Sequence, residues 1–263
     1  MGPHGQALSP IRTQRVQRAG TGAPTHSPQL TLSRLPSGEP EIFTSIQGEG
    51  VSAGVPSVFV RLSMCNLRCS WCDTAYTWDW RQYERAAESM RLDADELLAR
   101  VLASPARNVV ITGGEPLLQQ RRLAPLCNAL RAKSRRLEIE TNGTIEPSPE
   151  LLASVDQWNV SPKLESSDNA ASRRERPDAL RAFAALRTAY FKFVAVSRAD
   201  LAEIDCLAER YAVPPERIVL MPEGRDAATL ARRSRWLVDE CQRRGWRFST
   251  RLHVLLWGDE RGR

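Results

Sequence analysis

The stretch "CNLRCSWCDT" (residues 65–74) holds three of the six cysteines in this chain of 263 residues. Thiolates at such short spacing suit zinc or an iron–sulfur cluster, and both centres usually need four ligands. The chain has only three histidines, His4, His26 and His253, and none is close to the cysteines in sequence. Zinc remains an alternative, although no histidine near the cysteines offers it a fourth ligand. Three cysteines favour a [4Fe–4S] cluster with one iron left open for a small molecule.

Composition limits the classes of partner. Apolar residues make up 42% of the chain, which is enough for one large domain. The net charge of +6 does not indicate a nucleic-acid surface, because residues 1–38 carry four arginines and no acid, leaving 33 basic against 31 acidic residues elsewhere. No apolar run approaches the ~18 residues of a membrane span. We read Cys127, Cys206 and Cys241 as core thiols of a cytoplasmic protein.

The first 38 residues contain five prolines and five glycines without a periodic apolar pattern. This composition predicts a disordered leader over 1–38, with a transit peptide as the alternative. Ordered structure is expected to begin near Glu41. The remainder, 39–263, is predicted to form a single domain.

Beyond the leader, short apolar segments alternate with amphipathic ones, which is typical of a parallel sheet with right-handed crossovers. The strands are predicted over 57–62, 108–112, 136–141, 157–161, 190–196, 217–222 and 247–257. The helices are predicted over 93–103, 117–133, 149–155, 176–187, 197–212 and 226–244. Six or seven mostly parallel strands fall short of a full eight-fold barrel, so we expect an incomplete, TIM-like β/α barrel. The polar run over 165–176 is a candidate mobile loop.

The cysteine triplet resembles that of the radical S-adenosylmethionine (SAM) superfamily. The resemblance implies that the open iron is chelated by SAM and that an electron from the cluster cleaves SAM to a 5′-deoxyadenosyl radical. "ITGGEP" (111–116) is similar to the superfamily motif that holds the SAM amino group, and glycines allow such close backbone approach. Trp71 matches the aromatic residue that borders the adenine.

A narrower resemblance covers most of the chain after the leader. The segments that carry it are "EIFTSIQGEG" (41–50), "VFVRLSMCNLRCSWCDT" (58–74), "ITGGEP" (111–116), "ETNG" (140–143), "NVSPK" (159–163), "LMPEG" (220–224) and "RLHVLLWGDERG" (251–262). Together they are similar to the 7-carboxy-7-deazaguanine synthase family of lyases. That likeness implies Mg²⁺-dependent ring contraction of 6-carboxy-5,6,7,8-tetrahydropterin, with loss of ammonia, in queuosine and deazapurine biosynthesis. It also implies a flavodoxin or ferredoxin as electron donor and a homodimer.

The resemblance assigns site residues by position, and it assigns no catalytic side chain because the cluster and SAM carry the radical chemistry. The cluster ligands are Cys65, Cys69 and Cys72, and the Mg²⁺ ligand is Thr74. The substrate contacts are Ile46, Gln47, Gly48, Arg61, Thr112 and His253. The SAM contacts are Trp71, Cys72, Asp73, Gly114, Ser161, Pro162, Lys163, Met221, Pro222, Glu223 and Gly224.

Chemistry supports several of these positions. Arg61 alternates with the apolar residues of its predicted strand, so that it reaches solvent or points into the barrel, where it would bind a carboxylate. The amide of Gln47 suits an aminopyrimidinone edge. A lone hydroxyl such as that of Thr74 is acceptable for Mg²⁺, which keeps waters. Lys192 and "ETNG" receive no role.

Two other functions remain open. A glycyl-radical activase would share the cysteines and "GGEP", but it would not need "IQGEG" or Arg61. A non-enzymatic zinc or iron–sulfur module would need only the cysteines.

Overall fold

One mixed sheet forms the framework of the protein. The structure is a computed structural model that describes residues 1–2 and 27–263. Its strands are β1 (Gln29–Ser33), β2 (Ile42–Ile46), β3 (Pro56–Leu62), β4 (Ser89–Asp93), β5 (Asn108–Gly113), β6 (Arg136–Thr141), β7 (Gln157–Val160), β8 (Ala189–Ala195), β9 (Ile218–Pro222) and β10 (Arg247–Phe248).

Helices connect the strands of the sheet, and one more helix follows the last strand. They are α1 (Arg85–Glu88), α2 (Ala94–Leu102), α3 (Gln120–Ala132), α4 (Pro149–Ser154), α5 (Ala171–Arg174), α6 (Pro177–Ala185), α7 (Asp200–Arg210), α8 (Ala227–Arg244) and α9 (Leu252–Trp257). None of the helices in the described residues is both long and apolar enough to cross a membrane.

Seven strands run parallel in the order β3-β5-β6-β7-β8-β9-β10, each paired with its neighbour. β2 pairs antiparallel with the first part of β3, and β1 pairs antiparallel with its end. β4 then continues the sheet beyond β1. The prediction of an incomplete β/α barrel with six or seven parallel strands is confirmed, and the three antiparallel strands are additions to it.

The two faces of the parallel strands differ in polarity. On β3, Val58, Val60 and Leu62 are buried in the main hydrophobic core. Strand alternation places Phe59 and Arg61 on the opposite face, where both line the cavity described below. The interior of the barrel is therefore the polar, ligand-facing side, and the apolar core lies between the sheet and the helices.

The predicted boundary between the leader and the domain, after residue 38, lies too far along the chain. Residues 3–26 lie outside the described residues, but Gln29–Ser33 form β1, whose Leu30 and Leu32 are fully buried. The side chain of Gln119 accepts from the Thr31 N–H at 2.8 Å and donates to the Thr31 carbonyl at 2.9 Å. The domain therefore includes residues from Gln29 onward. The alternation in "QLTLS" was the available signal, masked by the prolines and glycines around it.

The predicted final strand over 247–257 is also wrong. Only Arg247 and Phe248 pair with β9, and Leu252–Trp257 form α9. The apolar run "HVLLW" fits either structure locally. A tertiary contact decides between them, because the Leu252 N–H donates to the Gly48 carbonyl at 2.8 Å and turns the chain away from the sheet.

Two smaller expectations meet different outcomes. Cys127 and Cys241 are buried as predicted, whereas Cys206 is exposed on α7 and is not a core thiol. The segment over 165–176 contains a short helical turn, Glu165–Ser167, and α5. Arg174 in α5 is buried and forms an ion pair with Glu203 of α7.

Candidate active site

A cavity of about 740 Å³ opens where the parallel strands end. The carboxyl ends of barrel strands are where ligands gather in such folds. Among the described residues, the predicted site positions all line this cavity except Pro162, Pro222 and Gly224. The sequence positions that the resemblance assigned, spread over 200 residues, thus converge on one space.

The three cysteines lie on the loop that follows β3, and all three line the cavity. Each sulfur accepts an N–H from the protein, as sulfurs around iron–sulfur clusters commonly do. The donors are the Leu67 backbone to Cys65 (3.5 Å), Asn169 to Cys69 (3.3 Å) and Trp78 to Cys72 (3.3 Å). Burial raises the pKa of Cys65 to about 12, and a metal centre bound at this place would favour its thiolate. This donor set fits an iron–sulfur cluster with one open position.

Two glycines let the "GGEP" turn approach the cysteine loop. A Cβ on Gly114 would lie 2.2 Å from the Met64 carbonyl oxygen and 2.9 Å from Cys65 Cβ. Gly113 has φ +148, and a Cβ there would lie 2.0 Å from the Leu62 carbonyl oxygen. Neither position has room for a side chain. The backbone of this turn therefore lies directly against the cysteine loop.

Glu115 of the same turn explains "ETNG", which the sequence left unassigned. The buried carboxylate accepts from Thr141 Oγ1 at 2.8 Å and from the Asn142 N–H at 2.7 Å. Asn142 then donates to Asn66 Oδ1 at 2.9 Å, beside Cys65. Burial raises the pKa of Glu115, and these donors oppose the rise. "ETNG" thus links the ends of β5 and β6 to the cluster loop.

Three of the predicted SAM contacts lie together on one side of the cavity. The Lys163 ammonium lies 5.6 Å from the centre of the Trp71 ring and donates to Ser161 Oγ at 2.8 Å. The Trp71 indole N–H donates to the Ser166 carbonyl at 2.8 Å, which orients the ring. The arrangement offers an aromatic face and a cation beside the cysteine loop.

Arg61 points into the cavity and is held at one edge only. Its Nε donates to the fully buried Glu41 at 2.7 Å. Burial would lower the pKa of Arg61, but Tyr76 and Glu41 raise it, so the guanidinium remains charged. No described residue forms a hydrogen bond with its two terminal nitrogens, which leaves the fork-shaped edge open to an anion.

Glu140 of "ETNG" joins two predicted substrate contacts. Gln47 Nε2 donates to one carboxylate oxygen at 3.2 Å, and Thr112 Oγ1 donates to the other at 2.9 Å. Lys192 Nζ lies 4.0 Å from the same carboxylate. The sequence signal for Glu140 was its place in β6, where it alternates with the buried Ile139.

A buried ionic cluster continues this network. Glu49 forms ion pairs with Lys192 and with Arg251 Nε (3.0 Å). Burial alone would raise the pKa of Glu49, but these two cations lower it, and the carboxylate is ionised. Lys192, which received no role from the sequence, therefore holds Glu49, the acidic residue of "IQGEG", in the cavity.

Arg251 was missed by the sequence reading and connects three motifs. Besides Glu49, it forms an ion pair with Asp73 and donates from Nη1 to the Gly224 carbonyl at 2.8 Å. Gly224 therefore contributes through its carbonyl to Arg251 rather than by lining the cavity. Burial would raise the pKa of Asp73, but Arg251 lowers it. The sequence placed Arg251 at the start of the segment over 251–262 but gave no indication of these partners.

His253 reaches the cavity from α9 rather than from a strand. A Cβ on Gly48 would lie 2.1 Å from His253 Nδ1, so Gly48 makes room for the ring. His253 Nε2 lies 4.0 Å from Glu49. Burial lowers the pKa of His253, although Glu49 opposes the shift, and the ring is neutral near pH 7.

Thr74 lines the cavity, with its hydroxyl 3.7 Å from Cys72 Sγ. Within residues 1–2 and 27–263, no three His, Cys, Asp or Glu side chains lie close enough together to hold a single metal ion, whereas the cysteine ligands of an iron–sulfur cluster each bind a different iron. Residues 258–263 also line the cavity. There Arg261 lies 3.4 Å from the centre of the Tyr76 ring and pairs with Glu41 at 3.3 Å.

Comparisons with known proteins agree with this geometry. The sequence profile of the radical SAM superfamily matches residues 60–197. A 7-carboxy-7-deazaguanine synthase from Pyrobaculum aerophilum is 39% identical over 225 residues, which are 85% of this chain and 96% of the relative. One from Halobacterium salinarum is 38% identical over 241 residues, covering 83% of this chain and 90% of the relative.

A solved structure extends the agreement to the fold. The crystal structure of QueE from Escherichia coli aligns with a TM-score of 0.64 and 27% sequence identity, covering 86% of this chain and 95% of that chain. The chain belongs to the 7-carboxy-7-deazaguanine synthase family of the radical SAM superfamily.

Proposed function

We propose that this protein converts 6-carboxy-5,6,7,8-tetrahydropterin to 7-carboxy-7-deazaguanine with loss of ammonia, as a Mg²⁺-dependent radical SAM lyase. The observation that carries the proposal is that the cysteine triplet and the open edge of Arg61 line the same cavity of about 740 Å³. Small-molecule sites typically span ~300–1,000 Å³, so this space suits a cofactor with a bicyclic substrate.

The cluster would be held by Cys65, Cys69 and Cys72, and SAM would lie over the "GGEP" turn. When bound, the reduced cluster and SAM supply the hydrogen-atom chemistry that starts the rearrangement. The protein orients these groups. Trp71 and Lys163 provide a ring face and a cation, and Gly114 lets the backbone approach.

The substrate would bind between Arg61 and the inner polar network. The terminal nitrogens of Arg61 suit a bidentate pair with the pterin carboxylate. Gln47 and Glu140 present an amide and a carboxylate to the aminopyrimidinone edge. Thr112 fixes the Glu140 carboxylate at 2.9 Å, and the neutral His253 adds a hydrogen-bonding ring.

Thr74 is proposed as the single protein ligand of Mg²⁺, whose other oxygens would come from substrate and water. Magnesium at this place would polarise the substrate carboxylate. We further propose a flavodoxin or ferredoxin as electron donor, a homodimeric assembly and a cytoplasmic location. The six free cysteines are in keeping with a reducing compartment.

The test is an anaerobic assay of the full chain reconstituted with iron and sulfide. Carboxytetrahydropterin, SAM, Mg²⁺ and dithionite are added, and 7-carboxy-7-deazaguanine and ammonia are measured. Cys69→Ala should abolish product, whereas Cys206→Ala, an exposed cysteine outside the cavity, should leave it unchanged.

The rival functions give different results in the same assay. Cleavage of SAM without deazaguanine, with the cluster intact, would reject this substrate and favour another radical SAM enzyme such as a glycyl-radical activase. One zinc per chain, no iron and no SAM cleavage would favour a metal-binding module.

A further inference from the structure

Residues 165–174, here called the clamp segment, lie against the cysteine loop. The proposed function gives this segment no role, and the sequence suggested only a mobile loop. Five hydrogen bonds join the segment to the loop. They are Ser70 N to Ser167 O (3.2 Å), Trp71 Nε1 to Ser166 O (2.8 Å), Arg173 Nη2 to Asn66 O (2.6 Å), Arg68 N to Asn169 Oδ1 (2.9 Å) and Asn169 Nδ2 to Cys69 Sγ (3.3 Å).

Asn169 makes two of these bonds with one amide group. Its Oδ1 must face the Arg68 backbone N–H, because that group can only donate. The amide orientation is thereby set, and Nδ2 faces the Cys69 sulfur. Nδ2 also lies 3.1 Å from Ser167 Oγ. Contacts at both the oxygen and the nitrogen of the amide thus orient the N–H donor toward Cys69.

The backbone around Asn169 is anchored away from the cavity. Arg174 Nε donates to the Asn169 carbonyl at 3.1 Å. The buried Arg174 also forms an ion pair with Glu203 on α7. Asp168, just before Asn169, adopts a left-handed conformation with φ +61. The amide therefore projects toward the cysteine loop from a braced segment about 100 residues away in sequence.

We propose that Asn169 is a positioning residue for the iron–sulfur cluster, and that its N–H raises the reduction potential of the cluster by bonding to Cys69 sulfur. A reduced cluster carries one more negative charge than an oxidised one, and a donor aimed at a ligand sulfur stabilises that charge. Trp78, the donor to the Cys72 sulfur, is only six residues from Cys72 in the chain, whereas Asn169 connects the Cys69 sulfur to a separate segment of the fold. The inference rests on the cluster part of the proposed function, and it does not depend on the substrate.

The test uses the full chain with its reconstituted cluster and no pterin, titrated with reductant and followed by electron paramagnetic resonance. Asn169→Leu removes the donor at similar volume. We expect about a tenfold loss in the equilibrium constant for reduction, which is ~59 mV for a one-electron couple. Ser172→Ala, exposed in the same segment, should leave the potential unchanged.

Asn169→Asp provides a second variant, because it keeps the acceptor for the Arg68 N–H and replaces the sulfur donor by a charge. We expect a potential at or below that of Asn169→Leu. If Asn169→Leu retains iron and titrates like the unchanged protein, the inference is overturned. Loss of iron from both variants, with the fold intact by circular dichroism, would mean that Asn169 has only a structural role. This result would also overturn the inference. If the reductant titrations give the expected potentials but no deazaguanine forms in the activity assay, the result would count against the proposed substrate alone.

Discussion

Replacing Arg61 by Met tests the substrate site most directly. Methionine keeps most of the volume of the side chain and removes the guanidinium, so both the pair with Glu41 and the open edge are lost. If that edge binds the substrate carboxylate, the variant loses a buried, charge-assisted contact. Truncating one partner of such a pair costs about 2–5 kcal/mol.

The structure indicates that this substitution lowers the free energy of unfolding only modestly. Glu41 is fully buried, and losing one bond to a charged group costs about 1.5–3 kcal/mol. The carboxylate keeps the Tyr76 hydroxyl at 2.9 Å and Arg261 at 3.3 Å. We expect about 2 kcal/mol of lost stability, and the protein should fold and load its cluster.

The binding cost is expected at about 3 kcal/mol, which is on the order of 100-fold in kcat/KM for the carboxypterin. SAM cleavage without substrate should change by less than about twofold, because Arg61 forms no hydrogen bond or ion pair with the predicted SAM residues, all of which are described in the structure. Arg100→Met is the matched control, since Arg100 is exposed and, among the residues that the structure describes, pairs only with Glu39 and Glu96. An Arg61→Met protein with intact cluster and unchanged affinity for the carboxypterin would refute this reasoning.

Three further predictions concern the cluster loop, the pH dependence and the N-terminus. Gly114→Ala should lose most bound iron, because its Cβ would lie 2.2 Å from the Met64 carbonyl oxygen; retention of full iron content would contradict this. His253 has a lowered pKa, so its contribution to stability is present above its unfolded pKa of about 6.5 and is lost as pH falls. Urea unfolding at pH 7.5 and 5.5 should show this loss, and His253→Gln should reduce it. A chain beginning at Leu35 lacks β1, whose Leu30 and Leu32 are fully buried, and should lose about 3–6 kcal/mol of stability relative to a chain beginning at Ser27.

Much of the site could be predicted from sequence because its motifs are local. The cysteine spacing, "GGEP" and "IQGEG" each place their chemistry within a few residues, and most of the positions they indicate line the cavity. Arg251 shows where this reasoning ends. Arg251 begins the segment "RLHVLLWGDERG", but its three partners come from three separate loops, so the sequence gives no indication of what it binds.

The sequence alone determined the parallel β/α architecture, because apolar strands and amphipathic helices are patterns of neighbouring residues. It likewise indicated the three cysteines proposed as cluster ligands, which line the cavity. Only the tertiary structure decided that β1 belongs to the sheet, that α9 is a helix and that Asn169 donates to Cys69. Each of these depends on a partner far away in the chain, and the free energy of such contacts appears only when the chain has folded.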